Sequence, residues 1–416
     1  MFRKEYLANS VPVVMESIKN VRSVVVGIWV KVGSRHEPPA LNGISHFLEH
    51  MFFKGTKRRT AKDIAYETDS LGAELNAFTS RETTTFYVKV LDEFLDDGLD
   101  LLSDIFMNSI FPDEDIEKEK KIIKEEIKMV EDTPDDYVHD LFNQTIWGQY
   151  GIGQPVLGRR ETIRTFTRDD LLAHIRKYYG TKDIVISCAG NFDHTRLLAL
   201  LDKNLGSLRR GSEPERGDPP AYQSTVRVFS KELAEAHICM GYRGIPQASR
   251  QRYCLFTLNT ILGAGVSSRL FQEIREKRGL AYAIYSFIAS YSDTGLWGVY
   301  AGVSRKRVRE VIDLILRETE HLKDSISEGE LQRAKNQLKG NIILGLESTS
   351  SRMNNIARQE IYHGRYYSPR EIIEEIDAIS VNQVRELADA IIRPDMLALT
   401  VYGPVDEPSV AGVLTR

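Results

Sequence analysis

Two histidines four residues apart bracket a glutamate in the stretch His46-Phe47-Leu48-Glu49-His50. If the stretch is helical, residues i and i+4 lie one above the other on one face, so both imidazoles can reach a single metal ion. Imidazole nitrogen suits zinc, and a nearby carboxylate that does not bind the metal can take a proton from a metal-activated water. Glu49 lies on a neighbouring part of that face. A catalytic zinc site has three protein ligands and one open position, so two histidines are one donor short. The run Glu117–Glu126 (EKEKKIIKEE) is the richest source of carboxylates. Glu119 and Glu126 are two helical turns apart on one face, whereas Glu125 points about 100° away from Glu126. Glu125 and Glu126 are therefore not both expected to face one ion. A solvated helix laced with i,i+4 Glu–Lys pairs is the ordinary state of such a run, so spacing alone does not choose the donor.

These residues need elements to hold them. A helix from about Gly43 to Phe53 carries the histidines, packed through Ile44, Phe47, Leu48 and Met51, with Gly55 expected as its C-cap. Residues 11–32 alternate as two strands joined by a polar turn. A helix opens at Thr60, strands follow at 72–79 and 83–90, and Leu95, Leu99 and Leu102 give a helical period. The helix after Phe111-Pro112-Asp113 runs to about Glu131, with Ile116, Ile122, Ile123 and Ile127 as its apolar stripe. Ile184–Ala189 reads as a buried strand.

Around 209–221 (RRGSEPERGDPPA) the chain turns polar and rich in proline and glycine, the composition of a linker. The expected division is a domain at 1–210, a linker at 211–221 and a domain at 222–416. The second half repeats the first. Residues 111–118 match 326–333, Ile127 meets Ile342, the Leu95-Leu99-Leu102 helix meets Val308-Ile312-Ile315, and Gly72-Ala73 meets Gly279-Leu280. The fold class is thus α+β: two homologous domains, each a mostly antiparallel sheet packed with helices. Opposite His46, Glu49 and His50 stand Cys254, Thr257 and Leu258, and opposite Glu126 stands Asn341, so the second domain cannot hold the same metal.

Composition excludes several functions. The 416 residues are 42% hydrophobic and 27% charged, with a net charge of −4 from 55 basic and 59 acidic residues, so no basic field points to nucleic acid. The most apolar run, 23–32, is too short to cross a bilayer, and no apolar signal core follows Met1. Cys188, Cys239 and Cys254 are odd in number and widely spaced, which suggests buried thiols rather than disulfides. A cytoplasmic location, in a bacterium first of all, is the expectation. Gly263-Ala264-Gly265 is no phosphate loop, because no G-K-[ST] follows. The remaining histidines, His36 included, show no ligand spacing.

The spelling H-x-x-E-H inverts the H-E-x-x-H zinc-protease motif. Followed 76 residues later by Glu126, with Glu119 seven before it, it resembles the pitrilysin-type inverzincin metallopeptidases. Gly43-Ile44-Ser45, Lys54-Gly55-Thr56, Gly72–Thr79 (GAELNAFT) and Arg275–Tyr282 (REKRGLAY) extend the likeness over essentially the whole chain, most closely to the short-chain, mitochondrial-processing-peptidase-like branch. The resemblance implies one zinc ion held by His46, His50 and Glu126, Glu49 as the general base, and Glu119 as a carboxylate orienting a ligand. It implies that Asn76 and Ala77 lie on an edge strand pairing with substrate backbone, and that Arg275 and Tyr282 bind substrate and stabilise the developing oxyanion. It further implies an endopeptidase acting on peptides or unfolded segments in a closed chamber, assembled as a homodimer. A non-catalytic structural or peptide-binding subunit on the same scaffold is the rival reading. Glu74, Glu82, Glu131, Asp132, Asp135 and Asp136 could favour basic substrate residues if they gather near the site.

Overall fold

The valine-rich strand Ser23–Val30 is buried along almost its whole length, which requires cover on both faces of its sheet. The computed structural model describes residues 1–148, 151–211, 220–410 and 412. The first half contains β1 (Phe2–Tyr6), β2 (Pro12–Ser17), β3 (Ser23–Val30), α1 (Ile44–Met51), α2 (Ala61–Ser70), β4 (Glu74–Thr79) and β5 (Thr84–Leu91). It continues with α3 (Leu95–Asn108), α4 (Asp113–Glu131), α5 (Pro134–Trp147), α6 (Arg160–Thr165), α7 (Arg168–Tyr178), β6 (Ile184–Gly190) and α8 (His194–Leu205). The second half contains β7 (Val226–Ser230), β8 (Ala236–Gly244), α9 (Arg252–Leu262), β9 (Ala281–Ser290), β10 (Gly295–Val303) and α10 (Val308–His321). It ends with α11 (Glu328–Gly345), α12 (Thr349–His363), α13 (Pro369–Asp377), α14 (Val381–Ile391) and β11 (Ala398–Gly403).

The two sheets follow one plan. The first has strand order β1-β2-β6-β3-β5-β4 and the second β7-β11-β8-β10-β9. Without β1 the orders correspond strand for strand, with β2–β6 and β7–β11 the parallel pairs and the other neighbours antiparallel. The chain is a duplicated α+β fold, as the sequence repeat predicts. Gly72 and Gly279, paired by that repeat, both sit at positive φ (+56° and +59°) just before the edge strands β4 and β9.

Alternate residues of β3 face different partners. Val24, Val26, Ile28 and Val30 join Phe47 and Leu48 of α1, Leu99 of α3, Ile123 of α4 and Leu201 of α8 in one core. Each such fully buried side chain contributes about 1.5–3 kcal/mol. Val25 and Trp29 face Met353, Ile356 and Ala357 of α12 instead. Gly27 permits that approach, since a Cβ there would lie 2.7 Å from the Met353 sulfur.

The linear division at 211–221 does not delimit the compact units. One unit comprises Met1–Lys128, Tyr150–Gly217 and Gly345–Tyr366, and the other Met129–Gln149, Asp218–Leu344 and Tyr367–Arg416. Each sheet is thus covered by a helix from the opposite half of the sequence: α12 lies on β2, β3 and β6, and α5 lies on β8 and β11. Most of the expected linker, 212–219, falls outside the described residues.

Two local expectations need correction. α1 ends at Met51 with Phe52 as its right-handed C-cap. Gly55 at φ +122° instead serves a turn closed by a bridge to Thr60. On α4, Ile116, Ile123 and Ile127 are buried but Ile122 is half exposed, because it lies outside the arc those three define. All three cysteines are buried and free.

Candidate metal centre

α1 presents His46, Glu49 and His50 toward α4 and β4. His46 is buried (6% exposed), and its ring lies 4.7 Å from that of His50 between centroids. α4 contributes Glu126, whose Oε2 is 3.7 Å from His46 Nε2 and 3.6 Å from His50 Nε2. Those separations exceed hydrogen-bond length. They approach the edge of a tetrahedron around a zinc ion with ligand distances of about 2.1 Å, which is about 3.4 Å. One ligand atom from each of the three residues lies within 4.8 Å of the others, so the donor set and its spacing fit a divalent cation.

The two histidines are fixed in different ways. His50 Nδ1 lies 3.0 Å from Glu119 Oε2, a contact that places the proton on Nδ1 and leaves the Nε2 lone pair for a metal. Glu119 is itself buried and ion-paired with Lys54. Burial opposes its charge, but the bonds from His50 and Lys54 outweigh burial and lower its pKa. For His50, burial again opposes the charge, and Glu119 with Glu126 raises the pKa. His46 is held by packing, and burial followed by repulsion from His50 pushes its pKa down to about 3. It is therefore neutral near pH 7, as a metal-binding imidazole must be.

Glu49 does not join the donor group. Its Oε2 accepts a hydrogen bond of 2.6 Å from the Thr79 hydroxyl at the end of β4. Burial raises its pKa, and the Thr79 bond offsets part of that rise. A carboxylate beside a metal position, with one oxygen anchored and a raised pKa, is suited to proton transfer.

β4 is one of the two edge strands of its sheet and carries Asn76 and Ala77. The Ala77 N–H donates to its neighbour Asn76 Oδ1 at 2.8 Å. Arg275 and Tyr282 belong to the second unit, and their spacing of seven is not helical. Arg275 lies in a π-helical segment, Phe271–Glu276, and Tyr282 lies in β9. The guanidinium sits 4.8 Å from the Phe271 ring centroid and 5.7 Å from that of Tyr282. Tyr282 is 79% exposed, so it is not a core residue.

The acidic residues grouped by sequence are divided between the two units. Glu82 is buried, paired with Arg35 at 2.5 Å and bonded by the Tyr362 hydroxyl at 2.9 Å. Glu74 accepts from the Tyr87 hydroxyl at 2.7 Å. Glu131, Asp132, Asp135 and Asp136 belong to the second unit. Sequence reasoning gave no role to Thr79 or Lys54. The tripeptide Lys54-Gly55-Thr56 and the strand ending in Thr79 were visible, but their reach to Glu119 and Glu49 depends on the fold.

Residues 12–160 match the model described as insulinase (peptidase family M16), and residues 165–338 match that of the peptidase M16 inactive domain. The chain belongs to the M16 family. A Bacillus subtilis protein named an uncharacterized zinc protease is 40% identical over 97% of this chain and 98% of its own length. A Pseudomonas fluorescens structure described as a peptidase M16 inactive domain aligns with a TM-score of 0.91 at 18% identity, over 97% of this chain and 98% of that one. A chain of complex III2 from Candida albicans aligns with a TM-score of 0.87 at 25% identity, over 99% of both chains. M16 membership accords with the duplicated fold, and no helix among the described residues is long and apolar enough to cross a membrane.

Proposed function

We propose that this M16 protein is a zinc-dependent endopeptidase acting on peptides and unfolded segments. The observation that carries this reading is the His46–His50–Glu126 donor group with Glu49 beside it, anchored by Thr79. His46, His50 and Glu126 would hold the zinc, and Glu119 would orient His50. When bound, the ion supplies a Lewis-acid centre that polarises a carbonyl and acidifies the attacking water. Glu49 would act as the general base, accepting a proton at its carboxylate from the attacking water and delivering it to the departing amine nitrogen as the C–N bond breaks. An extended substrate adds to the β4 edge at Asn76 and Ala77, exchanging the local Asn76–Ala77 bond for main-chain bonds. Arg275 would hold substrate carbonyls, and Tyr282 would donate to the oxyanion.

A homodimer is the assembly carried with this reading, in a bacterial cytoplasm. Light scattering beside an activity assay tests the assembly, and a fully active monomer would remove it. The likeness to the complex III2 chain favours a second reading, a structural subunit on the same scaffold. Against it stands the complete donor set, which such a subunit has no need to keep.

The deciding experiment is hydrolysis of a quenched-fluorescent peptide library by the wild-type protein and by Glu49→Gln, with bound metal quantified in both. Turnover reduced by about 10²–10⁴-fold with zinc retained is the expected result. A wild-type protein with zinc but no turnover would move the weight to the structural reading.

A further inference from the structure

The loop before α1 holds a buried carboxylate that the chemistry above does not use. Glu37 is 4% exposed, and its partners are the first N–H groups of the metal helix. Its Oε2 accepts from the Gly43 N–H at 2.6 Å and from Asn42 Nδ2 at 3.0 Å, and its Oε1 accepts from the Ser45 N–H at 2.8 Å. The opening N–H groups of a helix have no partner within it, and Gly43, the N-cap, has no side chain to supply one. Glu37 fills that role from six residues upstream. Burial raises the Glu37 pKa, and the bonds from Gly43, Ser45 and Asn42 offset part of that rise; both oxygens accept hydrogen bonds at the positive end of the helix dipole, where a carboxylate is favoured.

The surroundings lock this contact in place. The Gln154 side chain donates to the Glu37 carbonyl at 3.1 Å, and Asn42 Nδ2 donates to the Pro155 carbonyl at 3.1 Å. Thr162 donates to the Asn42 carbonyl at 2.7 Å. Gly43 and Gly158 pass so closely, both at positive φ, that a Cβ on either would fall within 2.7 Å of the other's Cα. Ser45 is the residue immediately before His46, so the first turn of α1 has little freedom to rotate while Glu37 is in place.

We propose that Glu37 is a positioning residue for the metal centre, its carboxylate fixing the rotation and depth of α1 and thereby the placement of His46 relative to Glu126. The proposal rests on the metal-site reading above but predicts an effect on the helix that can be read without metal. Glu37→Gln keeps the volume, yet it sets an amide NH2 against an N–H that needs an acceptor. Glu37→Asp keeps the charge on a shorter arm. Leu197→Ala, in the α8 part of the same core, serves as a destabilised control far along the chain.

Two measurements decide it. Hydrogen exchange on the metal-free protein should show α1 amides exchanging about ten times faster in Glu37→Gln than in wild type. Competition with a chromophoric chelator should show zinc bound about tenfold more weakly, the low end of the cost of losing a group that bonds a ligand directly, because Glu37 acts through the helix backbone. Glu37→Asp should fall between wild type and Gln, and Leu197→Ala should lower the melting temperature while keeping zinc affinity within about threefold of wild type. Unchanged α1 exchange in Glu37→Gln would overturn the proposal, as would equal zinc weakening in Leu197→Ala. A wild-type protein with no zinc affinity would overturn the metal reading instead, and the exchange data would still decide the role of Glu37.

Discussion

α1 and α9 occupy the same place in the duplicated fold, one between β3 and β4 and the other between β8 and β9, yet they treat their polar positions in opposite ways. On α1, His50 reaches Glu119 on α4 and Glu49 reaches Thr79 on β4. On α9 the matching residues turn inward or stay local. Thr257 donates to the Tyr253 carbonyl one turn back at 2.8 Å, Cys254 Sγ reaches the Gln383 carbonyl at 3.2 Å, and Leu258 is fully buried in the core. The long helices diverge likewise, with Ala334 and Asn341 on α11 where α4 has Glu119 and Glu126. A buried polar group costs free energy unless it is bonded. α9 keeps that cost small: Thr257 bonds within its own helix, Leu258 carries no polar side-chain atom, and Cys254 brings only a weakly polar thiol to the Gln383 carbonyl of α14. The first half bears it, holding Glu49, His50 and Glu119 in partly dry surroundings through bonds between separate elements, while His46 is held by packing. Shared packing builds the scaffold, and long-range polar contacts build the site.

The largest test moves one position from the first pattern to the second. His50→Leu, which installs the residue found at position 258, should remove stoichiometric zinc and reduce peptide hydrolysis to background, as read by elemental analysis and a fluorogenic assay. The reverse change, Leu258→His, should create no zinc site, because Cys254 and Asn341 still stand at the other positions. Zinc retained by His50→Leu would show that the ligand set is wrong.

Smaller effects should follow from the contacts that join elements. Thr79→Val removes the anchor of Glu49 and should lower kcat about tenfold with KM and zinc content little changed, a fraction of the loss expected for the base itself. If kcat holds, Glu49 is positioned by packing alone. Lys54→Met leaves Glu119 without its cation and should weaken zinc binding by about tenfold, the low end for an outer partner of a ligand. Chelator competition reads this directly, and wild-type affinity would show that the bond to His50 suffices to hold Glu119.

The split between scaffold and site also governs what the sequence could reveal. The His46–Glu49–His50 spacing and the Glu119–Glu126 face were legible because helical geometry relates residues close in sequence. The duplication was legible because Leu99 and Ile312 fill equivalent core positions and because Gly72 and Gly279 meet the same backbone demand. The exchange of α5 and α12 was not. An amphipathic pattern shows that a helix packs, but not on which of two similar sheets. Gly27 is its trace in β3, intelligible only with Met353 opposite. Thr79, Lys54 and Glu37 were hidden for a related reason, since each acts through contacts that the fold sets and no sequence period marks. Arg275 and Tyr282 entered only through the family resemblance, and the chain changes from a π-helical turn to a strand between them, so no helical period relates the two.

Two buried histidines, one in each unit, give the finest comparison. His174 on α7 is 4% exposed, with Ser45 Oγ 3.5 Å from Nε2. Burial first, then Lys177 and His36, push its pKa down to about 3. In the unfolded chain it titrates near 6.5, so between those values the unfolded state holds a proton that the native state does not. Stability is therefore unaffected above about pH 7 and declines as pH falls through 6.5, approaching about 1.4 kcal/mol per pH unit. His237 on β8 is also buried and has a lowered pKa, but Asp135 and Glu235 offset part of the effect of burial, and the Tyr300 hydroxyl lies 2.9 Å from its Nδ1. Replacing each by leucine and comparing urea midpoints at pH 7.5 and 5.5 separates the two. The acid loss should shrink by about 1 kcal/mol in His174→Leu and by less in His237→Leu. Equal gains would mean that the carboxylates near His237 do not reach it, and no gain at position 174 would mean that the native state admits the proton after all.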